Sequence, residues 1–140
     1  MTTRVRDTVR NAAVDAATGL LNAGATAAEL RIYTGTQPAG GPSATATGTL
    51  LVVITLNDPV APAAAAGVGT FDVSPVPAGV AVSTGTAGWA RLLDSNGVAL
   101  IDETVGATGS GERIVLNPTA IVAGAEVSVT ALTLTQAASA

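Results

Sequence analysis

The 140-residue chain contains no histidine, no cysteine and no lysine, and its aromatic residues are Tyr33, Phe71 and Trp89 alone. Without histidine or lysine the familiar triads and dyads that activate a serine or threonine cannot be built, and Schiff-base chemistry is excluded with them. Without cysteine there are no disulfides, no thiol nucleophiles and no zinc-thiolate sites. Few aromatics means few flat platforms on which a sugar can rest. What remains for chemistry is a scatter of carboxylates and hydroxyls, so the sequence points to no catalytic residue, no metal and no cofactor.

Long apolar runs and strong charge are scarce too. The longest strongly apolar stretch, Leu50 to Ile54, is far short of the ~20 residues that cross a bilayer. The N-terminal arginines meet Asp7 and Asn11 rather than an apolar core, which reads as no secretory signal. A soluble protein without a membrane partner is expected. Six arginines against ten acidic residues give a net charge of −4, the wrong sign for a dedicated nucleic-acid binder. The balance is uneven: Arg4, Arg6, Arg10 and Arg31 outweigh Asp7, Asp15 and Glu29 in residues 1–31, leaving +1 there and −5 elsewhere. A basic tip on an acidic body can steer docking onto an acidic surface.

Alanine, threonine, valine and glycine fill the remainder. The 29 alanines bury little apolar area beside the about 1.5–3 kcal/mol of a buried Leu, Ile or Phe. Such a thin core gains from neighbours, since binding to the folded form alone raises apparent stability. The composition is that of a β-rich module whose product is a surface.

Residues 3–23 carry the helical pattern: Val5, Val9, Ala12 or Ala13, Ala16 and Leu20 recur at spacings of three and four, with Leu21 alongside. Thr2 or Thr3 can cap its start and Gly24 stop it. This stripe either packs on the chain's own sheet or docks on a neighbouring subunit. From Leu30 the period changes to two. Strands are expected at 30–34, 49–56, 70–74, 80–83, 88–93, 98–102, 113–116 and 125–135. Residues 35–48 read as a flexible loop, and 60–69 as a helical turn or loose crossover. Asp94, Ser95, Asn96 and Gly97 mark the clearest hairpin. In the last strand Val127 and Val129 fall out of phase with Leu132 and Leu134, which predicts a β-bulge near Thr130. The fold class is therefore mainly β, an antiparallel β-sandwich or barrel-like domain with an N-terminal α-helix. Residues 1–28 form the helix and arm, and 29–140 the β-sandwich domain.

Motifs with chemical content dissolve on inspection. Asp94, Asn96, Gly97, Asp102 and Glu103 lack the glycine and bidentate glutamate spacing of a calcium loop. Gly106, Gly109 and Gly111 lack the lysine that would reach a phosphate. Asp102 and Glu103 are the pair on which a carboxylate hydrolase would have to be built. Trp89, set among small residues, is expected to plug the core.

The run LNAGATAAELRIYTGTQPAG, with the later GTAGWARLLDSNGVALIDETVG and IVLNPTAIVAGAEVSVTALTLT, resembles small virion structural proteins of tailed bacteriophages and prophages over most of residues 17–135. The resemblance implies a non-enzymatic head decoration or minor capsid protein on the capsid exterior. Its partner would be the major capsid protein lattice, and trimers at a local symmetry point are compatible with such a role. The N-terminal arm, Arg4, Val5, Arg6, Val9 and Arg10, is then the expected partner interface. Rival readings are a neck, collar or tail-associated protein, a host-surface carbohydrate-binding module, and a hydrolase using Asp102 and Glu103.

Overall fold

The computed structural model describes residues 3–136. Helix α1 spans Asp7–Leu21, shorter than the pattern suggests, and Arg6 rather than Thr3 stands at its cap position without a capping side chain. Thr2 lies outside the described residues. The C-terminal turn closes where the Asn22 N–H reaches the Thr18 carbonyl and the Ala23 N–H that of Leu20. Gly24 then reverses the chain at φ +116°. A side chain at Gly24 would collide with Ser95 Oγ, so glycine also lets the Asp94–Gly97 hairpin touch the helix end.

Of the expected stripe Leu21 alone is buried, and the helix otherwise turns the opposite face inward. Val14, Thr18 and Leu21 are buried, while Val9 and Leu20 stand 59% and 58% exposed. The reason lies in what the helix packs on. Asn11 and Asp15 accept hydrogen bonds from the backbone N–H of Gly67 and Ala64, each at 2.7 Å, and Asn22 accepts from Val60 at 2.8 Å. The 60–67 crossover has few strand partners, and α1 supplies the acceptors its amides need. This crossover holds no helical turn. It ends in a tight reversal in which Ala65 and Val68 exchange hydrogen bonds of 3.0 and 2.9 Å. Ala66 and Gly67 take φ of +51° and +76°, the signs a type I′ turn requires.

Among the described residues nine strands follow: β1 (Glu29–Thr34), β2 (Leu50–Thr55), β3 (Val68–Thr70), β4 (Ala78–Val80), β5 (Gly85–Leu93), β6 (Ala99–Ala107), β7 (Ile114–Leu116), β8 (Ala120–Ile121) and β9 (Glu126–Thr135). Their order is β2-β1-β5-β6-β7-β9-β3, with β4 on the first residues of β9 and β8 on the first residues of β5. The expected mainly β chain with one N-terminal helix is what is found, in its barrel-like form: a curled, half-barrel-like sheet. Expected strands at 70–74 and 80–83 shift to β3 and β4, because the Pro75 and Pro77 region supplies no ladder donors. One pair departs from antiparallel order: β6 and β7 run parallel. Gly109 and Gly111, at φ +86° and +81°, let the chain loop back beside itself over residues 108–113.

Bulges produce the curl. The registers leave Leu51, Gly88, Leu100 and Thr130 without opposite partners, and each bulge bends its strand and increases its twist. The bulge at Thr130 is the one the phase change predicts. At the far end β4 returns to β2: the Val82 N–H donates to the Leu51 carbonyl at 2.8 Å. Gly79 is glycine because a Cβ there would lie 2.2 Å from the Val53 carbonyl oxygen. Inside the curl Leu21, Leu30, Ile32, Leu51, Ile54, Leu92, Ile114, Leu116 and Val129 form the core.

Candidate partner interface

Arg6 enters α1 in an extended conformation and uses its carbonyl to accept the Val9 and Arg10 amides at 3.0 and 3.1 Å. Arg10 turns inward. Its guanidinium bonds Asp7 at 2.6 Å and the Gln136 carbonyl at 3.1 Å, leaving the side chain 12% exposed. The five residues of the expected arm therefore divide. Arg4, Val5, Arg6 and Val9 stay on the surface, whereas Arg10 fastens the helix to the end of β9.

Alternation along β5 sends Ala90 and Leu92 into the core and Trp89 and Arg91 to the outer face. Trp89 is fully buried, yet it lies outside the core it was expected to plug. Tyr33, its partner across the β1–β5 ladder, stacks on it with ring centroids 4.6 Å apart, and the Arg91 guanidinium lies 5.3 Å from the indole centroid. Arg91 also grips Asp102 with two bonds of 2.7 and 2.9 Å. Hydrogen bonding to Asp102 raises the arginine pKa, burial opposes that rise, and the charge of Asp102 reinforces it. The group stays a cation. Its remaining reach goes to the carbonyls of Ala44 at 2.9 Å and Gly41 at 3.2 Å. The 35–48 loop is thus a strap lying on the sheet, with a 3-10 turn at Gly41–Ser43.

Asp102 and Glu103 do not converge. As neighbours on β6 they face opposite sides: Asp102 is locked to Arg91, and Glu103 sits 3.7 Å from Arg113. Burial pushes the Glu103 carboxyl above its usual range, Arg113 pulls it down, and Glu112 pushes it up. Glu112 itself receives a hydrogen bond from the Thr104 hydroxyl. Among the described residues no three carboxylates gather as a metal site would require.

A different surface stands out. In residues 76–82 the inward positions Pro77 and Ala81 are buried, while Val76, Val80 and Val82 point outward at 52%, 62% and 66% exposure with Ala78 between them. Val122, in the turn whose next residues bond Ala81, adds another valine at 61%. The row runs along β4, where the two ends of the curled sheet meet. A largely apolar depression of about 480 Å³ is lined by Pro59, Ala61, Phe71 and Val73 with Asp72 between them. A second of about 190 Å³ is lined by Pro118, Ile121, Val122 and Val127 with Glu126 among them. Residues 73–90 contain no charge. That gap, with valine on the alternate positions to a small-residue face, is the sequence signal by which the row could have been found.

In comparisons with known proteins the chain matches no family model, no curated protein and no solved structure.

Proposed function

We propose that this protein is a non-enzymatic structural component that adheres through its β4 valine row to a repeating protein surface. The exposed row carries the reading. Contiguous apolar surface left uncovered on a folded chain marks an interaction site, and here residues 73–90 carry no charge of their own, Glu126 opposite Val80 on β9 being the acidic group beside the row. The chain's catalytic poverty agrees with such a role, and so does the use of Arg10, Asp15, Arg91 and Asp102 in internal bonds.

The sequence resemblance supports reading that surface as part of a tailed-phage virion, with the major capsid protein lattice as partner and the outside of the shell as location. Many weak contacts on a lattice act together, so each copy needs little affinity of its own. The protein would then serve as a decoration or minor capsid protein, binding the shell and stabilising it. Mixing purified protein with undecorated shells tests this directly: co-sedimentation at saturable stoichiometry is expected. Protein left wholly in the supernatant would remove the assignment.

A further inference from the structure

A hairpin loop that joins adjacent strands normally projects from the sheet edge, but residues 35–48 fold back across the outer face. The strap's ends are tied. Thr34 donates its N–H to the Thr49 carbonyl at 3.0 Å, Thr49 returns its N–H to Thr34 Oγ1 at 2.9 Å, and Thr47 bonds the Thr36 carbonyl at 2.8 Å. Between these ends none of the residues is buried. No apolar side chain anchors the strap, and it rests on Arg91, whose fork holds Asp102 on one side and the Gly41 and Ala44 carbonyls on the other.

Two further facts bear on how firmly it is held. Trp89 Nε1, a buried donor, has no hydrogen-bond partner, and such a donor is satisfied as soon as water reaches it. A buried ion pair between Arg91 and Asp102 adds little net stability against its hydrated alternative, since desolvation offsets the attraction.

We propose that residues 35–48 are a latched cover: the strap opens as a unit when Arg91 releases the Gly41 and Ala44 carbonyls, uncovering the stacked Tyr33 and Trp89 with Arg91 and Asp102 beside them. Because Thr34 and Thr49 remain bonded at its base, opening leaves the β1–β2 ladder intact. Segments that bury little and hang on a few polar bonds open far below the global unfolding free energy. The inference is independent of the valine row, which lies along β4.

Trp89 is the chain's single tryptophan and reports on the cover without labelling. In the intact protein its emission should be blue-shifted and poorly quenched by acrylamide, while the Gly41 and Ala44 amides, bonded within the strap, exchange with solvent orders of magnitude faster than those of β1 and β5. Replacing residues 36–47 by an Asn-Gly turn, or making Arg91→Met, should red-shift the emission and raise quenching several-fold with β1 and β5 amides still protected. An indole that stays blue and unquenched in the excised, folded chain overturns the proposal. So do strap amides that exchange only together with the sheet, and this measurement on the intact chain decides the matter should the variants fail to fold.

Discussion

Glu103 is held in surroundings that favour its protonated form. Burial is the largest cause, and Glu112 adds to it against the pull of Arg113. A carboxyl whose folded pKa lies above its unfolded value contributes stability below the unfolded pKa, and loses it as pH rises through the folded one. Glu103→Gln should therefore raise the melting temperature at neutral pH. The gain should shrink to nothing in acid, where the native carboxyl is already neutral. A series of melts across that range checks both the sign and the window. At this scale the sequence is a good guide wherever chemistry is local. Asp94 Oδ1 accepts the amides of Asn96 and Val98, each at 2.9 Å, which is what an Asp-x-Asn-Gly turn does for itself. The odd phase of Val127, Val129, Leu132 and Leu134 likewise exposes the bulge at Thr130. Trp89 shows where local reading stops. Its burial follows from its size, but its place depends on Tyr33 and on a strap that only the β1–β5 pairing brings near.

Among the elements, α1 is the one whose existence is legible and whose orientation is not. Periodicity counts apolar residues at spacings of three and four, and so selects Val5, Val9, Ala12 or Ala13, Ala16 and Leu20 with Leu21 alongside, of which Leu21 alone is buried. The inward face instead mixes Val14, Thr18 and Leu21 with Asn11, Asp15 and Asn22, because its partner is a crossover with unpaired amides rather than a greasy sheet. The two faces make opposite predictions in urea denaturation. Leu21→Ala should cost about 2–5 kcal/mol, as buried leucine truncations do, whereas Leu20→Ala and Val9→Ser should stay within about 0.5 kcal/mol. Equal losses on both faces would mean the helix is turned the other way. The two-residue β8 escapes the sequence because it has no room for a periodic pattern of its own. The strands at β6 and β7 are legible but their parallel pairing is not, since pairing direction is set by the neighbour rather than by either strand's residues.

For the molecule as a whole, the curl of the sheet decides which surfaces are free. Bulges bring β4 round to β2, and the seam so formed carries the outward valines at a place no strap or helix covers. Val80→Lys with Val82→Lys should leave stability within about 0.5 kcal/mol, because both side chains are already largely in water, but should abolish sedimentation with shells. Lysines that disturb neither would move the contact elsewhere on the surface, with Val5 and Val9 the next residues to change. Overall β character and the hairpin framework could be read from strand periods and turn residues. Closure could not, since Gly79 and Val53 meet across 26 positions of sequence and nothing in either residue announces the other.

Arg10 bridges from the first turns of α1 to the carbonyl of Gln136. The first helix and the last strand are thereby kept within a side chain's length, so a short linker can splice residue 136 to the start of the helix. New ends can then be cut in the exposed strap, whose base is already tied at Thr34 and Thr49. A circularly permuted chain of that kind would present foreign peptides from the middle of the scaffold.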